Sequence, residues 1–189
     1  MSGVTAAQVY AAAVEEYGED NVGAGELGAV YEAMQGATEK KRRGVFYTPD
    51  PLASPMSRLA VEIVGLRQIG PEPEQVMRVV ALDPACGCGI FLVHAARQLS
   101  AEYARRLIGG DPSGDLILAV MPRVILNCVF GIELDPVAVE LARLAVSLET
   151  VGAITPAMLD QHIICGDTLA GAFPPALADR SPRIPSAAG

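Results

Sequence analysis

The chain has 189 residues, of which 51% are hydrophobic and 19% charged, and its formal net charge is −8. That length and apolar content support one domain with a real core and exclude a disordered chain. The acidic balance excludes the usual stand-alone nucleic-acid binder, which needs cations to neutralise phosphates; the one dense basic run is Lys40-Lys41-Arg42-Arg43.

In chain order, Thr5 and Gln8 fit a capping box that opens a helix over 5–17, ended by Gly18. A second helix over 25–35 places Leu27, Val30, Tyr31 and Met34 on one face. Polar residues follow, and Gly44-Val45-Phe46-Tyr47-Thr48-Pro49 reads as a short extended piece, because Pro49 and Pro51 push their predecessors out of the helical region. A helix from Leu52 to Leu66 is expected to bury Leu59, Ile63 and Leu66. After the turn Gly70-Pro71-Glu72-Pro73, residues Arg78 to Asp83 read as a buried strand, Pro84 to Gly89 as a glycine-rich turn, and Ile90 to Ile108 as a long helix.

Asp115 to Val120 are expected to be helical and Leu126 to Glu133 to form a second strand. Asp135-Pro136 opens a helix that runs to Leu148, since Asp caps free amides and the fixed φ of Pro suits the first helical position. His162 to Cys165 form a third strand. Beyond Leu169, Pro174, Pro175, Pro182 and Pro185 among Ala and Ser predict a disordered tail. The expected organisation is a helical N-terminal segment (1–43), an α/β region (44–169) and the tail (170–189). Strands alternating with helices indicate a parallel sheet.

The four cysteines at 86, 88, 128 and 165 follow no C-x2-C zinc spacing and no secreted disulfide framework, so no metal is expected. No uncharged apolar run is long enough to span a membrane and no signal peptide is visible, so no membrane partner and a cytoplasmic location are expected.

The chemistry is carried by the three strand ends. Gly87 and Gly89 permit positive φ and close approach of a ligand to the backbone, which suits a nucleotide-like cofactor at the carboxyl edge of the sheet; an ordinary strand-to-helix turn is the plain alternative. Glu133 ends the second strand where a carboxylate can accept from both ribose hydroxyls, against the alternative of a solvated loop acid. Asp135 reads as a helix cap. Asp167 ends the third strand, either as acceptor for an adenine amine or as a turn acid.

Asp83-Pro84-Ala85-Cys86-Gly87-Cys88-Gly89-Ile90-Phe91-Leu92 resembles the first motif of the adenine-N6 DNA methyltransferases, which commonly have Ser where this chain has Cys88. Gly44 to Pro49 resembles that family's upstream cofactor motif. Leu27-Gly28-Ala29-Val30-Tyr31-Glu32 with Lys40 to Arg43 resembles the larger restriction–modification and phage-defence members. The resemblance implies a partial Rossmann-like, S-adenosylmethionine-dependent methyltransferase sheet, strands 3-2-1 with helices. It implies S-adenosylmethionine as cofactor. Tyr47, Thr48, Pro49, Asp83, Pro84, Ala85, Gly87, Gly89 and Phe91 would lie towards its methionine end. Glu133 would hold the ribose and Asp167 the adenine amine, with Leu134 also among the cofactor-binding residues.

The same family carries an Asn/Asp-Pro-Pro-Tyr/Phe motif on its fourth strand that receives the flipped adenine. Only Ala172-Phe173-Pro174-Pro175-Ala176 comes near it, with no Asn or Asp before the prolines and no aromatic after them. The expectation is therefore a truncated or split methyltransferase, inactive alone, reaching DNA only through missing or separate regions. Its first strand would have an open edge, a place for a protein partner. Leaving ~400 Å² of apolar surface uncovered there forgoes about 10 kcal/mol. Two other readings are a non-enzymatic partner that completes another chain and a small-molecule methyltransferase on the same cofactor fold. Lys40 to Arg43 would be a solvated linker or a phosphate contact.

Overall fold

The computed structural model describes residues 3–35 and 48–178. Tyr47, the Gly44–Phe46 piece and the basic run lie outside the described residues, as does the chain beyond 178.

The chain opens with α1 (Ala6–Tyr17), whose capping box pairs Thr5 and Gln8 as their spacing predicts, and α2 (Ala24–Met34). Leu27, Val30 and Tyr31 on α2 are buried, whereas Met34 is exposed. Helix α3 (Asp50–Ala60) passes into a wider π turn (Val61–Gly65) and a 3-10 turn (Leu66–Gln68). A π turn adds a residue to the helical repeat, so side chains beyond it leave the stripe that a regular helix would present. The expected continuous helix to Leu66 is corrected here; the segment packs through Ala53, Ser57 and Val61, so Leu59 and Ile63 are exposed rather than buried.

The short helix α4 (Pro73–Val76) leads into β1 (Ala81–Asp83). Glu74 fixes this entry, accepting from Arg123 at 2.7 Å and from the Tyr103 hydroxyl at 2.9 Å. β1 is three residues shorter at its start than the apolar run suggests, because the amides of Arg78 and Val79 turn back to the carbonyls of Gln75 and Val76.

Helix α5 (Ile90–Ile108) follows the glycine turn and ends on Gly109 in the left-handed conformation. Helix α6 (Gly114–Cys128) runs through Pro122, eight residues past its expected end, and takes Leu126 to Cys128 from the expected second strand. An interior proline removes one helix bond and disfavours the helix by about 3 kcal/mol. Here Met121, Val124, Ile125 and Cys128 form a buried face around it that offsets the loss.

β2 (Val129–Glu133), α7 (Pro136–Leu148) and β3 (Ile163–Cys165) complete the sheet. Among the described residues the sheet has three parallel strands in the order β1-β2-β3. Asp83 lies opposite Gly131 and Glu133 opposite Cys165, so all three strands deliver their carboxyl ends to one edge. A last helical turn, α8 (Pro175–Ala178), lies inside the segment expected to be disordered, held by a hydrogen bond from the Ala176 amide to the Gln161 carbonyl.

One hydrophobic cluster joins these elements, from Val9, Leu27 and Tyr31 to Leu92, Leu99, Leu141 and Ile163. Ser100, on α5, is fully buried, and its hydroxyl has no hydrogen-bond partner among the described residues. An unsatisfied buried hydroxyl costs about 1–3 kcal/mol, and alanine is the better helix former. Ser100→Ala is therefore expected to raise the urea midpoint, by an amount equivalent to about 1 kcal/mol. A lowered midpoint would show that the hydroxyl has a role in stability.

Candidate cofactor-binding site

The carboxyl edge of the sheet opens into a cavity of about 330 Å³. This is within the range of small-ligand pockets. Its floor is the turn between β1 and α5. The Cys86 amide continues the sheet ladder by donating to the Ile132 carbonyl at 3.0 Å, and the Gly89 amide closes the turn onto the Cys86 carbonyl at 2.8 Å. Gly87 and Gly89 both have positive φ, +51° and +89°. A Cβ on Gly89 would also stand 3.1 Å from the Ala142 backbone, so glycine is what lets α5 and α7 converge beneath the turn.

Glu133 is held by two backbone donors. The Gly87 amide gives a hydrogen bond to Oε2 at 2.9 Å and the Asp135 amide gives one to Oε1 at 3.0 Å. Each carboxylate oxygen has two acceptor sites, so both can still receive a hydroxyl. Asp135 caps α7 as its position before Pro136 predicts, its Oδ1 accepting from the Val137 amide at 3.0 Å. Its Oδ2 accepts from the Tyr31 hydroxyl at 2.6 Å. Asp167 is exposed at the mouth, with Oδ1 accepting from the amides of Leu169 and Ala170. The Thr168 hydroxyl donates to the Pro84 carbonyl at 2.7 Å and so ties the loop after β3 to the loop after β1.

Of the residues singled out in the sequence, Thr48, Pro84, Ala85, Gly87, Phe91, Glu133, Leu134 and Asp167 line this cavity. Pro49, Asp83 and Gly89 do not. Pro49 caps α3 and Gly89 caps α5. Asp83 lies beside the cavity, half-buried at the end of β1, and accepts from the Ala85 amide at 3.0 Å. Thr48 is kept at the wall because Asp50, two residues on, is hydrogen-bonded through Oδ1 to His94 Nε2 of α5 at 2.9 Å. Sequence reasoning did not assign α2 to the site, yet Ala24, Gly28 and Tyr31 form one of its walls. Their signal was the Leu-Gly-x-x-Tyr-Glu run, whose chemistry is invisible until the helix is docked.

Electrostatically the cavity is acidic. Glu133 and Asp167 line it, Asp83 and Asp135 stand behind it, and among the described residues no Lys, Arg or His lines it. Burial, with repulsion from Glu133, pushes the Asp83 carboxyl above its ordinary range, although the Ala85 amide pulls it back. Burial pushes the Cys88 thiol up to about 12, reinforced by Glu133 and Asp135. Cys88 is thus a neutral, small side chain at neutral pH and a weak hydrogen-bond donor.

No helix among the described residues is long and apolar enough to cross a membrane. No solved structure shows a match to the chain. A relative from Methanocaldococcus jannaschii, whose name reads "Putative type II restriction enzyme and methyltransferase", is 22% identical over 192 residues, covering 77% of this chain. The chain spans 16% of that relative's length. A profile of the N-6 DNA methylase family matches residues 24–173, which takes in α2, the glycine turn and all three strand ends. The chain belongs to the N-6 DNA methylase family.

Proposed function

We propose that this chain is the S-adenosylmethionine-binding part of a DNA adenine-N6 methyltransferase. The observation that carries the reading is the acid-lined cavity at the glycine turn, with Glu133 oriented by the Gly87 amide. A ligand suited to it combines an adenosine with positive charge, and S-adenosylmethionine carries a sulfonium and an ammonium. Glu133 would accept from the ribose hydroxyls. Asp167 would accept from the adenine amine through Oδ2, with Oδ1 already committed to the loop. Thr48 and the residues around the turn would meet the methionine end.

Methyl transfer to adenine, in this reading, is supplied by residues outside this sequence. They would join at the edge of β1 that has no partner strand among the described residues. A groove of about 870 Å³ runs there between β1 and the exposed side of α3 and its π turn, lined by Met56, Val64, Val80 and Leu82. It meets the cofactor cavity at Pro84 and Phe91, which line both. Whatever sits on that edge therefore lies next to the reactive end of the cofactor. DNA would be engaged by those added residues, in keeping with the net charge of −8.

The test is ligand-dependent melting of the whole chain. S-adenosylmethionine or S-adenosylhomocysteine at 100 times Kd adds about 2.7 kcal/mol, a rise of roughly 5–10 °C for a chain of this size. ATP and NAD at the same concentration are expected to leave the midpoint in place. Radiolabelled methyl groups are expected not to reach adenine in DNA from this chain alone. No response to either sulfur cofactor, with the fold intact by circular dichroism, would sink the cofactor reading. Methylation by the isolated chain would sink the need for added residues.

A further inference from the structure

We infer that Tyr31, on the N-terminal helix α2, is a positioning residue for the ribose of the cofactor, acting through Asp135 on Glu133. The inference rests on the cofactor reading above and extends it to a helix that precedes the glycine turn by more than fifty residues of chain. Four contacts in series carry it. The Tyr31 hydroxyl donates to Asp135 Oδ2 at 2.6 Å. The other oxygen of Asp135 is fixed by the Val137 amide at 3.0 Å. The Asp135 amide then donates to Glu133 Oε1 at 3.0 Å. Gly87 holds the second oxygen of Glu133 at 2.9 Å.

Burial makes this series stiff. Tyr31 is 1% exposed and Asp135 is 6% exposed. With both carboxyl oxygens of Asp135 engaged, its side chain has one position. The side chain so held braces the residue whose own amide orients Glu133. A capping aspartate needs one oxygen for its cap, so the second oxygen is available for a partner. That partner is a hydroxyl from a helix 104 residues earlier that also lines the cavity. Two functions meet in one side chain: Tyr31 walls the cavity, and it sets the angle of the carboxylate that faces the ribose. Preorganising a group before the ligand arrives raises affinity by removing an ordering step from binding.

Removing the phenolic hydroxyl deletes one buried hydrogen bond to a carboxylate, and part of that loss reaches Glu133. Tyr31→Phe is expected to weaken S-adenosylhomocysteine binding about five- to tenfold by calorimetry. 5′-Methylthioadenosine, which keeps the ribose and lacks the amino acid, is expected to weaken by the same factor. The discriminating measurement is the cycle with Glu133→Ala. Glu133→Ala alone is expected to weaken binding more than tenfold, and Y31F added to it is expected to change binding less than twofold. Equal losses from Y31F in both backgrounds would mean that it merely loosens α2, and would overturn the inference.

Circular dichroism and the urea midpoint of Y31F, with and without Glu133→Ala, guard against a variant that fails to fold. A folded Y31F chain that binds as tightly as the parent would also overturn the inference. If the unaltered chain binds no S-adenosylhomocysteine, the cofactor reading itself fails. If it binds and E133A weakens it while Y31F does not, the role of Tyr31 alone fails.

Discussion

Gly131→Ala is expected to lower the stability of the chain by about 2–3 kcal/mol, the upper part of the range for overpacking a core. Gly131 sits in the middle of the central strand, bonded to β1 on one side and β3 on the other. A Cβ there would stand 2.9 Å from Cys86 Sγ, 2.9 Å from Leu92 Cδ1 and 3.3 Å from Cys86 Cβ. Both neighbours are almost fully buried, so the added methyl forces both side chains to shift. Cys86 belongs to the glycine turn, so the added methyl would also push the floor of the cavity at the sheet edge. Thermal unfolding should show a fall of roughly 5–10 °C. Adding Cys86→Ala, which removes the sulfur, should recover about half of it. A single variant with an unchanged midpoint would mean that the turn yields freely.

Asp83→Asn is expected to separate stability from ligand affinity. Desolvation and the nearby Glu133 raise the folded-state pKa of Asp83 above its ordinary value. The folded carboxyl therefore binds its proton more tightly than the unfolded one, and the ionised form subtracts from stability. That penalty is absent below the unfolded pKa and is complete once the pH has risen through the folded one. The asparagine variant, which can still accept from the Ala85 amide, should melt about 2 °C higher at pH ~7, and the difference should close on acidification towards pH ~3. Binding should move the other way. On the cofactor reading, Asp83 stands behind the wall nearest the cationic end of the ligand, and losing its through-space attraction weakens S-adenosylhomocysteine by about two- to threefold. Affinity of the unaltered chain should also fall in acid as Asp83 takes up its proton. A variant that melts lower at neutral pH would show that the ionised carboxyl contributes to the fold.

What was legible in the sequence was local. The capping box at Thr5, the strand–turn–helix rhythm around Gly87 and Gly89, and the Asp135-Pro136 helix start are written in neighbouring residues, and the structure has them where the spacing predicts. The strand ends at Asp83, Glu133 and Cys165 followed from the same rhythm. Non-local packing was hidden. Pro122 signals a helix end, but the buried face that carries α6 through it depends on partners elsewhere in the fold. Helix α3 and its π turn bury the face of Ala53, Ser57 and Val61 and leave Leu59 and Ile63 outside, a choice that also depends on partners elsewhere in the fold. Gathering Thr48, Glu133 and Asp167 around one cavity needed the order of the elements. Placing Tyr31 behind Asp135 needed the coordinates, because no spacing rule links residues so far apart.

The hydrophobic cluster disregards the expected boundary at residue 43. Val9, Leu27 and Tyr31 share it with Leu141 and Ala145 of α7. A single cut of the backbone between Gln35 and Thr48 would thus leave two peptides, each holding part of one interior and neither able to close it. Separated, they should lose their structure. Mixed, they should reassemble, with the short peptide carrying α1 and α2 restoring both the interior and the wall of the cavity, as complementing halves of one cooperative unit.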